Sequence, residues 1–166
     1  MKLIDIMEIN VSDDIFPADK EMAHLTKDRY NIHRKNLKTV GSIDKVQIMS
    51  EGTRYFLVFN GNPIGLVVLK ESGNNTMIPC SNWIDPAFRG KGYIKKLYMW
   101  FMKKDIILQG DFDQTHNSKN LWKSFIGKTN MFLVNRTDNT KIQIQTEEQF
   151  ELGYAIDSHY NIIMMK

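Results

Sequence analysis

The residues with most chemistry in this chain are nine in a row: Asp85, Pro86, Ala87, Phe88, Arg89, Gly90, Lys91, Gly92 and Tyr93. An apolar stretch from Met77 to Ile84 leads into them and an amphipathic stretch, Tyr93 to Lys104, leads out, within a helix read over Lys91 to Lys104. Two glycines one residue apart, directly before a helix, leave main-chain N–H groups uncovered by side chains. The first N–H groups of a helix lack internal partners, and its dipole is positive at that end, so such a turn suits an anion. Arg89 and Lys91 add fixed positive charge, and the chemistry indicated is phosphate binding. Cys80 lies mid-strand and reads as a small buried residue, with no His or Lys among its nearest neighbours to lower its pKa. His24 and His33 stand nine apart on one helix, the wrong spacing for a shared metal face.

These residues need a scaffold. Lys2 to Asn10 alternates as a first strand, and Ser12, Asp13 and Asp14 offer caps to a helix over Ala18 to Leu37. Met22, Leu25 and Ile32 form the apolar stripe of that helix, and its charges form a solvated face. Thr39 to Lys45 reads as a loop. Val46 to Met49 and Tyr55 to Phe59 are strands, and Asn60-Gly61-Asn62 turns the chain into a partner strand, Ile64 to Leu69. After Gly73-Asn74-Asn75 come the strand Met77 to Ile84, the anion turn and its helix. Ile106 to Gln109 is then a short buried strand, placed parallel to the earlier one by the intervening helix. A helix over Asn117 to Ile126 precedes a hairpin, Met131 to Asn135 with Lys141 to Gln145, around Thr137-Asp138-Asn139. The tail, Tyr154 to Met165, packs on the domain. Together these elements predict one α/β domain over 1–166, with a core of about 3–145 and an extension over 146–166.

Composition narrows the class. The 166 residues carry a formal charge of +3, with 25% charged and 42% hydrophobic residues, as a globular domain does. The mild basicity suits an anionic ligand, while the lack of a single basic stripe argues against a nucleic-acid partner. A single cysteine excludes an internal disulfide and a cysteine-based zinc site, and favours a reducing compartment. No apolar run approaches the length of a membrane span, and no secretory pattern opens the sequence. The expectation is a cytoplasmic protein with no metal and no membrane partner.

The run Ile84-Asp85-Pro86-Ala87-Phe88-Arg89-Gly90-Lys91-Gly92-Tyr93-Ile94-Lys95-Lys96-Leu97, with this order of elements, resembles the GNAT N-acyltransferase superfamily. Its acetyl-CoA motif is Gln or Arg, two residues, Gly, one residue, then Gly or Ala. Arg89 and Gly92 match, Gly90 matches an optional glycine, and Ile94 stands where Gly or Ala is preferred. A second family signature aligns Thr115 with an Asn, Ser118 with an Ala and Trp122 with a Tyr, so the family's phenol is missing. Gln114-Thr115-His116-Asn117-Ser118 with Leu121-Trp122-Lys123 is also similar to divergent members encoded by phages and mobile elements.

The resemblance implies a mixed central sheet with helices on its flanks and a splayed parallel strand pair forming an acetyl-CoA cleft. It implies N-acetyl transfer from acetyl-CoA, as co-substrate, directly to an amine on a protein lysine or a small molecule. Trp83, Ile84 and Asp85 would meet the pantetheine, and the N–H of Ile84 or Asp85 would polarise the thioester carbonyl. The N–H groups of Arg89, Gly90, Lys91, Gly92 and Tyr93 would bind the pyrophosphate, with Phe88 and Ile94 beside them in the cofactor site and the Arg89 and Lys91 side chains secondary. Asp111, Asp113 and His116 follow the second parallel strand, where a general base for the amine belongs, and an imidazole titrates near neutral pH. Each of these, like Asp85, has an ordinary reading as a turn former or cap. Ser118 or Ser124 could protonate the leaving thiolate. Trp122 cannot, since an indole N–H only donates a hydrogen bond, and it reads as core. Two further readings stand beside the enzyme: a domain that keeps this fold without turnover and acts as a binding module, and a nucleic-acid-directed protein, which the missing basic stripe opposes. A homodimer is a further partner expectation.

Overall fold

The computed structural model describes residues 19–111, 114–155 and 158–166. The strand expected over Lys2 to Asn10, its following caps and Asp113 lie outside them. The chain divides into two compact units, one of 1–70 with 79–97 and the other of 71–78 with 98–166.

Among the described residues, the first unit begins with α1 (Asp19–His33), which is followed by β1 (Lys38–Ile43), β2 (Val46–Glu51), β3 (Arg54–Phe59) and β4 (Asn62–Glu71). Each of β1, β2 and β3 pairs antiparallel with the next strand. The Asn60-Gly61 turn has positive φ at both residues, 49° and 76°, as a tight hairpin of this hand requires. Consecutive buried residues, Phe56 to Val58 on β3 and Ile64 to Val67 on β4, mark strands covered on both faces. Tyr30 of α1 packs edge-on against Phe56, with centroids 5.7 Å apart, in a cluster with Val58 and Leu66. β5 (Thr76–Ile84) lies next to β4 in strand order, and its residues from Pro79 onward belong to this unit.

The second unit takes the start of β5. Thr76 and Met77 pair parallel with Ile107 and Leu108 of β6 (Ile107–Gln109), and the parallel ladder is those two pairs long. The geometry is fixed at the end of the preceding helix, α2 (Tyr93–Lys103). Asp105 adopts φ +59°, its N–H donates to the Met102 carbonyl, and the Ile106 N–H donates to that of Phe101. This double bond pattern ends a helix and redirects the chain. Then come α3 (His116–Lys123), β7 (Asn130–Asn135), β8 (Lys141–Gln143), α4 (Glu147–Leu152) and β9 (Tyr160–Met165). β9 lies between β6 and β7, antiparallel to both, and β8 pairs outside β7. Tyr98, Phe101, Trp122, Phe125 and Phe150 are fully buried here, with the Tyr98 and Phe125 rings stacked at 6.3 Å. The fold is therefore α/β, with a mixed sheet, one parallel strand pair and flanking helices, as the resemblance implied.

Several local expectations are corrected. α1 ends at His33 rather than Leu37, and Ile32 is 74% exposed. The buried side of α1 runs through Thr26 and Tyr30, and Ile32 lies two residues beyond Tyr30, about 200° round a 3.6-residue turn. Thr39 to Lys45 is not a loop. It holds β1 and a turn at Asp44, whose φ is 53°. α2 starts at Tyr93 rather than Lys91, because Gly92 still has positive φ. α3 is shorter than expected, stopping at Lys123, where Ser124 Oγ donates to the Leu121 carbonyl. Cys80 is exposed, not buried. Residues 146–166, expected as an extension, provide α4 and the interior strand β9.

Candidate anion-binding turn

The end of β5 is placed by β4. The Asp85 N–H donates to the Ile64 carbonyl at 2.9 Å. Gly65 beside it permits close approach, since a Cβ there would stand 2.5 Å from Ile84 Cδ1 and 3.0 Å from the Trp83 carbonyl oxygen. Asp85 then stops the strand, and its carboxylate accepts from the Ala87 N–H at 2.9 Å, capping a 3-10 turn over Pro86–Phe88. This is the capping role its sequence context suggested.

The accounting of N–H groups separates the turn into two parts. Phe88 donates to the Asp85 carbonyl and Arg89 to that of Pro86, so the protein itself uses these two, as it does Asp85. Gly90 and Gly92 have φ of 76° and 71°, and helical bonding begins only with the Lys96 N–H on the Gly92 carbonyl. Among the described residues, the N–H groups of Gly90, Lys91, Gly92, Tyr93 and Ile94 have no protein acceptor. Among the described residues, nothing lies within 4 Å of where a Cβ on either glycine would stand. A concave run of open amides at a helix start is the form of an anion nest.

The side chains around this run are largely engaged. Arg89 Nε donates to the Ile84 carbonyl at 3.0 Å, and its two terminal nitrogens reach the Asp19 carboxylate, Nη1 at 3.3 Å and Nη2 at 2.5 Å. Hydrogen bonding from Arg89, reinforced by its charge, holds the Asp19 carboxyl below the ordinary aspartate value despite some desolvation. Lys91 Nζ lies 4.8 Å from the Phe88 ring centroid, and Phe88 meets Phe59 edge-on at 5.6 Å. Lys96 Nζ pairs with Asp44 at 2.6 Å. Ile94, the second residue of α2, is half-buried.

In the second unit, Thr115 caps α3, its Oγ1 accepting from the Ser118 N–H at 3.2 Å. His116 is exposed on the first turn of α3, and Asp111 and Ser118 are half-buried. Trp122 is fully buried. With the Gln114 amide turned to satisfy its neighbours, its oxygen accepts from Trp122 Nε1 and the Asp111 N–H, both at 3.2 Å, and its nitrogen meets Tyr154 Oη at 2.9 Å. Burial above all, with the nearby charges of Asp111 and Glu151, raises the Tyr154 phenol far above its usual pKa. Sequence reasoning missed Asp19, Gly65, Gln114 and Tyr154. Only Gly65 carried a signal, because a glycine within a strand marks close backbone approach. Among the described residues no group of His, Cys, Asp and Glu could hold a metal ion, and no helix is long and apolar enough to cross a membrane.

A strand, an open-amide turn and a helix thus stand on a mixed sheet that has, among the described residues, one parallel pair. No protein-family model matches the chain, and no curated protein matches it. Solved structures do. N-acetylglutamate synthase from Neisseria gonorrhoeae, complexed with coenzyme A and N-acetyl-glutamate, is 12% identical over 90% of this chain and 33% of that one, with a TM-score of 0.38. This chain thus spans a third of that enzyme's length. An acetyltransferase of the GNAT family from Staphylococcus aureus is 15% identical over 98% of this chain and 86% of its own, with a TM-score of 0.38. The ribosomal-protein-S18-alanine N-acetyltransferase from Escherichia coli is 12% identical, covering 90% and 87%, with a TM-score of 0.38. Similarity at this level concerns fold, and the chemistry must be sought in the chain's own residues.

Proposed function

We propose that this protein is an acetyl-CoA-dependent N-acetyltransferase that transfers the acetyl group directly to an amine. The observation that carries the proposal is the row of unengaged N–H groups from Gly90 to Ile94, which follows β5 and its 3-10 turn. The residues suit a diphosphate: five donors, two glycines with open space beside them, and the positive end of α2. Bound there, acetyl-CoA would supply an activated acyl group.

The rest of the work falls to the protein. Successive N–H groups of an extended strand face opposite sides, and that of Asp85 faces β4. The N–H of Ile84 therefore faces away from β4 and is the main-chain donor we assign to the thioester carbonyl. Trp83, Ile84 and Asp85 would border the pantetheine. His116, exposed at the start of α3, is the proposed acceptor of the amine proton, with Asp111 and Asp113, which follow β6 in sequence, as further candidates, and Ser118 is the proposed donor to the leaving thiolate. The acceptor is a primary amine on a protein or a small molecule.

Calorimetry with acetyl-CoA, followed by detection of free CoA thiol across an amine panel, tests the proposal. Micromolar binding with amine-dependent thiol release supports it, and no binding refutes it. A second reading is a module that binds acetyl-CoA without turnover. Trp122, fully buried where the resembled family carries a phenol, favours that reading. Binding without thiol release for any amine would select it.

A further inference from the structure

We infer that Asp19, on the first turn of α1, is a positioning residue for the anion turn, acting through Arg89. This rests on the acetyl-CoA reading of the turn. Arg89 lies within the motif yet directs none of its guanidinium bonds toward the open amides. Its Nε–H is on the Ile84 carbonyl and its other two nitrogens are on Asp19. The planar fork makes this a three-point brace, from the last residue of β5 to the start of α1, which a point-charge lysine could not copy.

The brace spans the segment that must be ordered before a diphosphate arrives. Ile84 and Arg89 bracket the 3-10 turn, and the open amides begin one residue later. Holding both ends lowers the ordering cost that binding would otherwise carry. Asp19 is 51% exposed, and exposed pairs contribute little to global stability, so its effect belongs to the turn rather than to the fold. Its charge has the opposite influence, because a carboxylate near a phosphate site opposes binding. Removing Asp19 should tighten binding on Coulomb grounds alone, and weaker binding therefore isolates the positioning role.

The test uses the full chain with Asp19→Ala and Asp19→Glu. Without ligand, hydrogen exchange at the Asp85, Phe88 and Arg89 amides should quicken at least threefold in D19A and return toward wild type in D19E. The Kd for CoA and the KM for acetyl-CoA should both rise about three- to tenfold in D19A, with kcat and the acceptor KM unchanged. Unchanged exchange overturns the inference whatever the affinity does, and quicker exchange with unchanged or tighter CoA binding overturns it too. If wild type fails to bind CoA, the acetyl-CoA reading falls, and the exchange measurement still decides whether Asp19 braces the turn.

Discussion

The Asp85 N–H donates to the Ile64 carbonyl at 2.9 Å, and that bond sets which way the end of β5 faces. Because strand amides alternate, the Ile84 N–H points away from β4, on the same side as the Ile84 carbonyl that Arg89 engages. Gly65 guards this arrangement, since a methyl there would meet Ile84 Cδ1 at 2.5 Å and the Trp83 carbonyl at 3.0 Å. The second contact is main chain and cannot rotate away. Gly65→Ala should therefore cost about 1–3 kcal/mol in chemical denaturation, as overpacking does. It should also lower kcat for acetyl transfer more than it raises the KM for acetyl-CoA, because it displaces the Ile84 N–H that donates to the thioester carbonyl rather than the turn.

Gly92 presents the reverse case. Its φ is +71° and the space where a Cβ would stand is open to 4 Å, so a side chain there meets no steric wall and only the backbone resists. Gly92→Ala should destabilise the protein by about 1–2 kcal/mol, the usual cost of a left-handed L-residue. If the chain relieves that strain by rotating, the amides of Lys91 to Tyr93 lose their common direction. Calorimetry should then show CoA binding weakened tenfold or more in a variant that still folds.

The sequence exposed the parts of this molecule governed by local rules. Asn60-Gly61, the Asp85-Pro86 cap and the glycine pair at 90 and 92 each dictate backbone geometry through their own residue types, and each was legible. The parallel pairing of β6 with β5 followed from the helix between them. What depended on distant partners was hidden. Asp19 and Arg89 are 70 positions apart, and nothing local in either distinguishes a brace from two solvated charges. The apolar stripe on α1 misleads because Thr26, a polar residue, takes a buried position while Ile32 faces outward. One local signal was overlooked: Thr146-Glu147-Glu148-Gln149 is a capping box, realised by Gln149 N–H on Thr146 Oγ1 at 3.3 Å and Gln149 Oε1 on the Thr146 N–H at 3.2 Å.

That box makes its own prediction. Thr146→Ala removes the side-chain acceptor at the start of α4, which typically costs about 1 kcal/mol. Thermal or denaturant unfolding should register the loss, whereas CoA affinity should stay within twofold of wild type, because the turn at 88–94 makes no hydrogen bond to Thr146. A larger change in affinity would show that α4 influences the anion turn.

Tyr154 gives a prediction in pH. Its phenol is held far above the usual tyrosine pKa, first by burial and then by the charges of Asp111 and Glu151. A raised folded-state pKa means that the native state binds the proton more tightly than the unfolded chain. The resulting stability is complete below the unfolded value, near pH 10, and is lost as pH rises beyond it. One such group lowers unfolding free energy by up to about 1.4 kcal/mol per pH unit above pH 10. In Tyr154→Phe this slope should flatten without vanishing, because burial also raises Tyr55. At neutral pH the same variant should be less stable by about 1 kcal/mol, since it removes the phenol partner of the half-buried Gln114 amide. Absorbance titration of the native protein, which has six tyrosines, should show a late-ionising component that is smaller in Tyr154→Phe. Ionisation of every tyrosine near pH 10 in the folded state would mean that the phenol is reached by solvent and that the Gln114 cluster is open.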